Sequence, residues 1–195
     1  MTELFTQDRF RVDQPRRGPY ARSRYRVTDT DGTVLAVADQ LTRRRGETLK
    51  SVFPGKSELD PRSVVLSSPE GDPMLEVDKE VGRMLISVRG PEGEAIGSIN
   101  TERVGRRYIL RDAEGGKVGE ITVDISRNHF HVIDRERNRV AYVQKKFAGI
   151  ATHLLTTADK YDVTIEERVA EPLRTLAVAT AIAMDMALHE SKDLT

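Results

Sequence analysis

The chain has no cysteine and no tryptophan, few aromatic residues, no excess of charge of either sign, and no long hydrophobic run. Each absence excludes something. Without cysteine there are no disulfides, no thiolate metal site and no cysteine nucleophile, and the composition suits a reducing cytoplasm. Lys+Arg and Asp+Glu both stand at 31, so the whole molecule has no bias toward nucleic acid or an acidic membrane. Such a preference has to come from a local patch. The longest apolar stretch, Leu176 to Leu188, carries Asp185 and falls short of the roughly 20 residues that a membrane-spanning helix needs. The opening residues Met1 to Asp8 have neither a basic start nor an apolar core, so no secretion signal is read and a cytoplasmic location is expected.

What the chain does have is one apolar helix in a run of strands. From Leu176 onward the C-terminal segment is apolar on nearly every side, and a helix without a polar face must be surrounded. Glu171 and Pro172 mark its start, where proline and acidic groups are well tolerated. Upstream, short β-prone segments flank turns at Asp31-Gly32, Glu70-Gly71, Glu92-Gly93 and Glu114-Gly115. Glu136-Arg137-Asn138 continues the rhythm, with Gly or Asn expected to take the positive φ of a tight hairpin. Met84, Ile86 and Val88 share one strand face, Phe130 and Val132 alternate with His129 and His131, and Val140 and Tyr142 alternate with Arg139 and Ala141. About twelve such strands run from Arg9 to Ile165. The expectation is a mainly β protein: a twelve-stranded closed antiparallel barrel around a central hydrophobic C-terminal α-helix, as a single domain over residues 1–195.

Side chains with chemistry to offer are mostly basic. Arg16, Arg17, Arg22 and Arg24, then Arg43, Arg44 and Arg45, then Arg103, Arg106 and Arg107, then Lys145 and Lys146 form local clusters. They read either as solvated loops balanced by nearby acids or as a patch for an anionic head group, to which an exposed cation contributes about 1 kcal/mol near a charged membrane. Arg43 to Arg45 stand out, because three adjacent cations cannot easily all find local partners. Asp159, Asp162, Glu166 and Glu167 offer oxygens of the kind a hard cation such as calcium favours, without the spacing of an EF-hand. His129 and His131, two apart on one strand face, could share a metal, with no third ligand in view. Asp185 inside an apolar helix has to be paired, protonated or at the barrel mouth, and the last is expected. No nucleophile, base and orienter can be named together, so no enzyme is expected.

The turns, the step Ala158-Asp159-Lys160-Tyr161 and the helix with its late acid, Ala181-Ile182-Ala183-Met184-Asp185-Met186, together resemble the Tubby C-terminal-like superfamily, above all its LURP-one-related proteins and phospholipid scramblases. The resemblance implies a twelve-stranded barrel closed around a hydrophobic C-terminal helix. It implies divided functions: phosphoinositide binding through a basic surface in Tubby proteins, and calcium-dependent lipid movement through an acidic segment before the helix in scramblases. Asp159 matches an acid of that segment and Tyr161 its aromatic; the Phe-Pro and later acids usual there are absent, as are the cysteine cluster and proline-rich arm.

The resulting expectation is a non-enzymatic binding module for an anionic, phosphoinositide-like lipid or another phosphorylated ligand, cytoplasmic and peripheral to the inner membrane face. Its ligand patch would draw on Arg43, Arg44, Arg45, Arg106, Arg107, Lys145 and Lys146, with Asp159 and Asp162 as calcium ligands if any cofactor is used. A soluble scaffold for a protein partner is the alternative, and phospholipid scrambling comes third.

Overall fold

Side chains pointing alternately in and out of the strands set the architecture, as in β1, where Phe10 and Val12 are buried while Arg9 and Arg11 are exposed. The computed structural model describes residues 3–14, 24–40, 62–79, 85–103, 106–147 and 159–188. A one-turn helix, α1 (Glu3–Thr6), is followed by β1 (Arg9–Asp13), β2 (Arg24–Thr28), β3 (Val34–Gln40), β4 (Arg62–Ser67), β5 (Pro73–Lys79) and β6 (Leu85–Arg89). Then come β7 (Ala95–Arg103), β8 (Arg107–Asp112), β9 (Lys117–Val123), β10 (His129–Asp134), β11 (Arg139–Phe147) and β12 (Asp159–Ile165). The helix α2 (Leu173–Leu188) ends the described chain. Each strand pairs antiparallel with its neighbours in sequence, and β1 pairs with β12, closing the barrel. Closure leaves no exposed edge for another chain to pair with.

The expected barrel around a helix is therefore present. Residues 173 to 187 of α2 are all buried, and each large aliphatic side chain so enclosed contributes about 1.5–3 kcal/mol. Small residues let helix and wall approach. A Cβ on inward-facing Gly97 would lie 3.2 Å from Leu176, and one on Gly119 would lie 3.1 Å from Leu173, with backbone carbonyls closer still. Ala177, Ala179, Ala181 and Ala183 do the same from the helix side. The outer wall carries the ion pairs Arg11–Asp162, Arg24–Asp39 and Arg107–Glu120. That is the reverse of a membrane-spanning barrel, whose lipid-facing band is apolar. Among the described residues no helix is long and apolar enough to cross a membrane.

The acid-containing turns are one structure used repeatedly. In Asp29–Thr33 the first residue's N–H donates to the fifth carbonyl (3.0 Å) and the fourth N–H donates to the first carbonyl (3.4 Å). The same pair of bonds recurs in the turns at 68–72, 90–94, 112–116 and 134–138. The fourth residue has positive φ: Gly32, Gly71, Gly93, Gly115 and, in the last turn, Arg137 at 71°. The left-handed residue there is thus Arg137, whereas the sequence pointed to Gly or Asn. Each hairpin carries a one-residue register shift beside its turn, as expected for a three-residue loop closed by a bulge. In β11, Ala141, Val143 and Lys145 are buried toward the lumen, Tyr142 lies on the other face, and the bulged Val140 packs in part against the core.

Candidate functional site

The barrel has two unlike ends. All five of these turns lie at the base, where α2 begins, and each carries two acidic residues, as in Asp29/Asp31 and Glu92/Glu94. In most of them the first residue's side chain holds the loop: Asp29 Oδ1 accepts from the N–H groups of Asp31 (2.9 Å) and Thr33 (2.8 Å), and Asp134 Oδ1 accepts from Asn138 N–H (2.8 Å). The acid at the third position, such as Glu114, is exposed. The base is also where Arg174 seals the lumen. Its guanidinium donates to the carbonyls of Phe5 (2.6 Å), Gln7 (3.0 Å) and Glu166 (3.0 Å) and to Asp8 Oδ1 (3.0 Å). A cleft of about 440 Å³ lies beside it, between the turns at 112–116 and 134–138 and the segment Arg168 to Leu173.

At the mouth, where α2 finishes, the expected ligand residues are not one patch. Arg106 is exposed in the approach to β8 and has no acidic partner among the described residues. Arg107 lies on the outer wall against Glu120, which Lys117 also reaches at 2.8 Å. Hydrogen bonds from Lys117 and Arg107 outweigh partial burial and hold the Glu120 carboxyl below its usual pKa. Lys145 and Lys146, adjacent in sequence, are divided by strand alternation. Lys146 is exposed and ion-paired with Asp162, but Lys145 is only 7% exposed and sits 5.5 Å from the Tyr161 ring centroid. Lys145 is therefore a lumen residue, not part of an outer patch with Lys146. Lys160 replaces it: exposed and directly opposite Lys146 across the β11–β12 ladder. Arg43, Arg44 and Arg45 lie outside the described residues.

Of the acids considered for calcium, those that are described lie apart. Asp162 is on the outer wall between Arg11 (3.0 Å) and Lys146. Partial burial alone would raise its pKa, but the hydrogen bonds and charges of Lys146 and Arg11 prevail and lower it. The Asp159 side chain lies outside the described residues. Glu166 and Glu167 follow the other end of β12, about 20 Å away at the rise of a strand. Among the described residues no group of three or more metal-ligating side chains exists. His129 and His131 both stand against Tyr142: its hydroxyl contacts His129 Nδ1, and the ring centroids lie 5.8 and 5.1 Å away. Burial, then Arg139 and His129, push the His131 pKa down.

Two features at the mouth escaped the sequence. Asp185 is fully buried rather than open to solvent at the barrel end. Its Oδ2 accepts from Tyr25 hydroxyl (2.7 Å) and Gln14 Nε2 (2.9 Å), and its Oδ1 from Tyr161 hydroxyl (2.9 Å). This cluster joins β1's end, β2 and β12 to the last turns of α2. The second feature is the β9–β10 turn Asp124-Ile125-Ser126-Arg127-Asn128, where Ile125 is 83% exposed. It lacks glycine, so it did not register with the others. Its signal was the pattern Asp-x-x-Arg-Asn, shared with Asp134 to Asn138, and in both turns the arginine takes positive φ.

A closed antiparallel barrel threaded by its own C-terminal helix defines the class. The Scramblase family model matches residues 76–191, and the chain belongs to that family. A solved structure, an X-ray structure of an Arabidopsis thaliana protein, matches with a TM-score of 0.56 at 11% identity, covering 96% of this chain and 97% of that one. At that identity the likeness speaks for the fold. No curated protein matches the sequence.

Proposed function

We propose that the protein is a non-enzymatic binding module that docks its barrel mouth on an anionic, phosphoinositide-like lipid surface at the inner face of a membrane. The observation that carries this reading is the segregation of charge. The five base turns carry ten acidic residues against two arginines, Arg135 and Arg137, while the described mouth exposes Arg106, Lys146 and Lys160 beside the Arg24–Asp39 ion pair. Anionic lipid attracts one end and repels the other, so the barrel would arrive oriented. Each mouth cation near the surface contributes about 1 kcal/mol. Family membership supports a lipid-related role for the fold. The helix itself is used up in filling the lumen, which favours surface docking over movement of lipid across the bilayer.

Flotation with phosphatidylcholine vesicles, with and without a phosphoinositide, tests the reading. Preferential flotation with the anionic vesicles, weakening as salt rises, is the expected result. Equal partition would remove lipid as the ligand and leave a protein partner as the better account.

A further inference from the structure

A single exposed aliphatic side chain on a protein surface ordinarily needs no explanation. Ile125 stands apart because of how its turn is made and where it stands. It is the one large hydrophobic side chain exposed among the described residues. Its loop is held in shape from within: the Asp124 carboxylate accepts from Ser126 hydroxyl and from the N–H groups of Asn128 (2.9 Å) and His129 (3.1 Å). It is also tied to both sides, since Asn128 carbonyl accepts from Lys145 N–H (2.7 Å) and Arg106 carbonyl accepts from Val123 N–H (3.0 Å). The exposure of Ile125 is thus built in.

The base turns supply the contrast. At the position matching Ile125 they carry Thr30, Pro69, Pro91, Ala113 or Arg135, and at the position matching Ser126 they carry an acid every time. Among the described turns only this one, at the mouth, pairs an aliphatic tip with a neutral hydroxyl, and it stands beside Arg106 and carries Arg127. An apolar tip flanked by cations is complementary to a bilayer, in which the aliphatic group enters the acyl boundary while the cations stay among head groups.

We infer that the Asp124–Asn128 turn is a membrane-inserting finger, with Ile125 entering the hydrocarbon edge of an anionic bilayer beneath Arg106 and Arg127. The inference rests on the docking reading above and goes beyond it, because charge attraction alone requires no insertion.

The absence of tryptophan makes the test direct. Ile125→Trp places a lone tryptophan, excited selectively over the five tyrosines, at the tip, and Thr30→Trp places one at the matching position of a base turn. Both are added to phosphatidylcholine vesicles containing a phosphoinositide, with and without brominated acyl chains, while wild type and Ile125→Ser are compared by flotation. The expected result is a blue shift and bromine quenching for Ile125→Trp, neither for Thr30→Trp, and about tenfold weaker binding of Ile125→Ser. Position 125 is exposed, so circular dichroism of the variants should match wild type. Wild type that binds while Ile125→Trp stays unshifted and unquenched would overturn insertion and leave docking standing. Wild type that fails to float would overturn the docking reading and the finger with it.

Discussion

At the base of this barrel the hairpin tips present Asp31, Glu70, Glu92, Glu114 and Glu136, whereas the described tip at the mouth presents Ile125 and Ser126. The backbone is nearly the same in both. Each loop closes by a bond from the fourth N–H to the first carbonyl and bends through a positive φ at the fourth residue. What the loop demands is therefore an acceptor at its first position and a left-handed residue at its fourth. The second and third positions carry no left-handed residue and no closing backbone bond, and there the two ends diverge into acid and aliphatic. The ends also hold the helix differently: at the base, Arg174 gathers backbone carbonyls; at the mouth, Asp185 gathers side-chain donors.

That contrast can be broken from either side. Asp185→Ala should cost the most, about 3 kcal/mol or more, because it removes from the lumen the acceptor shared by the hydroxyls of Tyr25 and Tyr161 and the Gln14 amide; urea unfolding measures it, and Asp185→Asn should recover part of the loss. Arg174→Met keeps the volume but leaves the carbonyls of Phe5, Gln7 and Glu166 without their donor. About 2 kcal/mol is expected by the same assay. A smaller loss there than at Asp185 would agree with the base being closer to solvent; a larger one would reverse the comparison.

The turns themselves give smaller and signed effects. Gly93→Ala forces a Cβ into a φ of 85° and should destabilise by about 1 kcal/mol. Arg137→Gly relieves a strained residue and should stabilise by a few tenths of a kcal/mol up to about 1, the net of lost strain and a looser unfolded chain. If both changes destabilise equally, the two loops are not the same structure.

Acid titration separates wall from helix. Glu120 and Asp162 are held below their usual pKa values by Lys117, Arg107, Lys146 and Arg11. Their contribution is fully present above the ordinary carboxylate range and is lost as pH falls through it and below. His131 acts with the same sign at higher pH. Its lowered pKa means the unfolded chain takes up the proton first, so a slight loss of stability should begin as pH drops below about 6.5. Thermal midpoints across this range, with His131→Gln as the control, would show it.

Much of the scaffold was legible in the chain because period-two alternation and Asp/Glu-Gly turns are local signals, and because a helix such as Leu176 to Leu188 has nowhere to go but inside. The mouth was harder. Tyr25, Gln14 and Tyr161 meet Asp185 from distant parts of the chain, so a buried acid was visible while its donors were not. Lys145 and Lys146 read as a pair, yet as consecutive residues of β11 they point to opposite faces, one into the lumen and one to the outer wall. Asp159 to Glu167 looked like one acidic group only in sequence, since an extended strand separates its members.

The account stands on the claim that the mouth, and not net charge, meets the membrane. Charge reversal at each end distinguishes the two: Arg106→Glu at the mouth and Glu114→Lys at the base, both exposed, compared by flotation on phosphoinositide-containing vesicles. Arg106→Glu should weaken binding about tenfold, while Glu114→Lys, held far from the surface and screened, should leave it unchanged within about twofold. Binding that rises with Glu114→Lys by as much as it falls with Arg106→Glu would contradict the account.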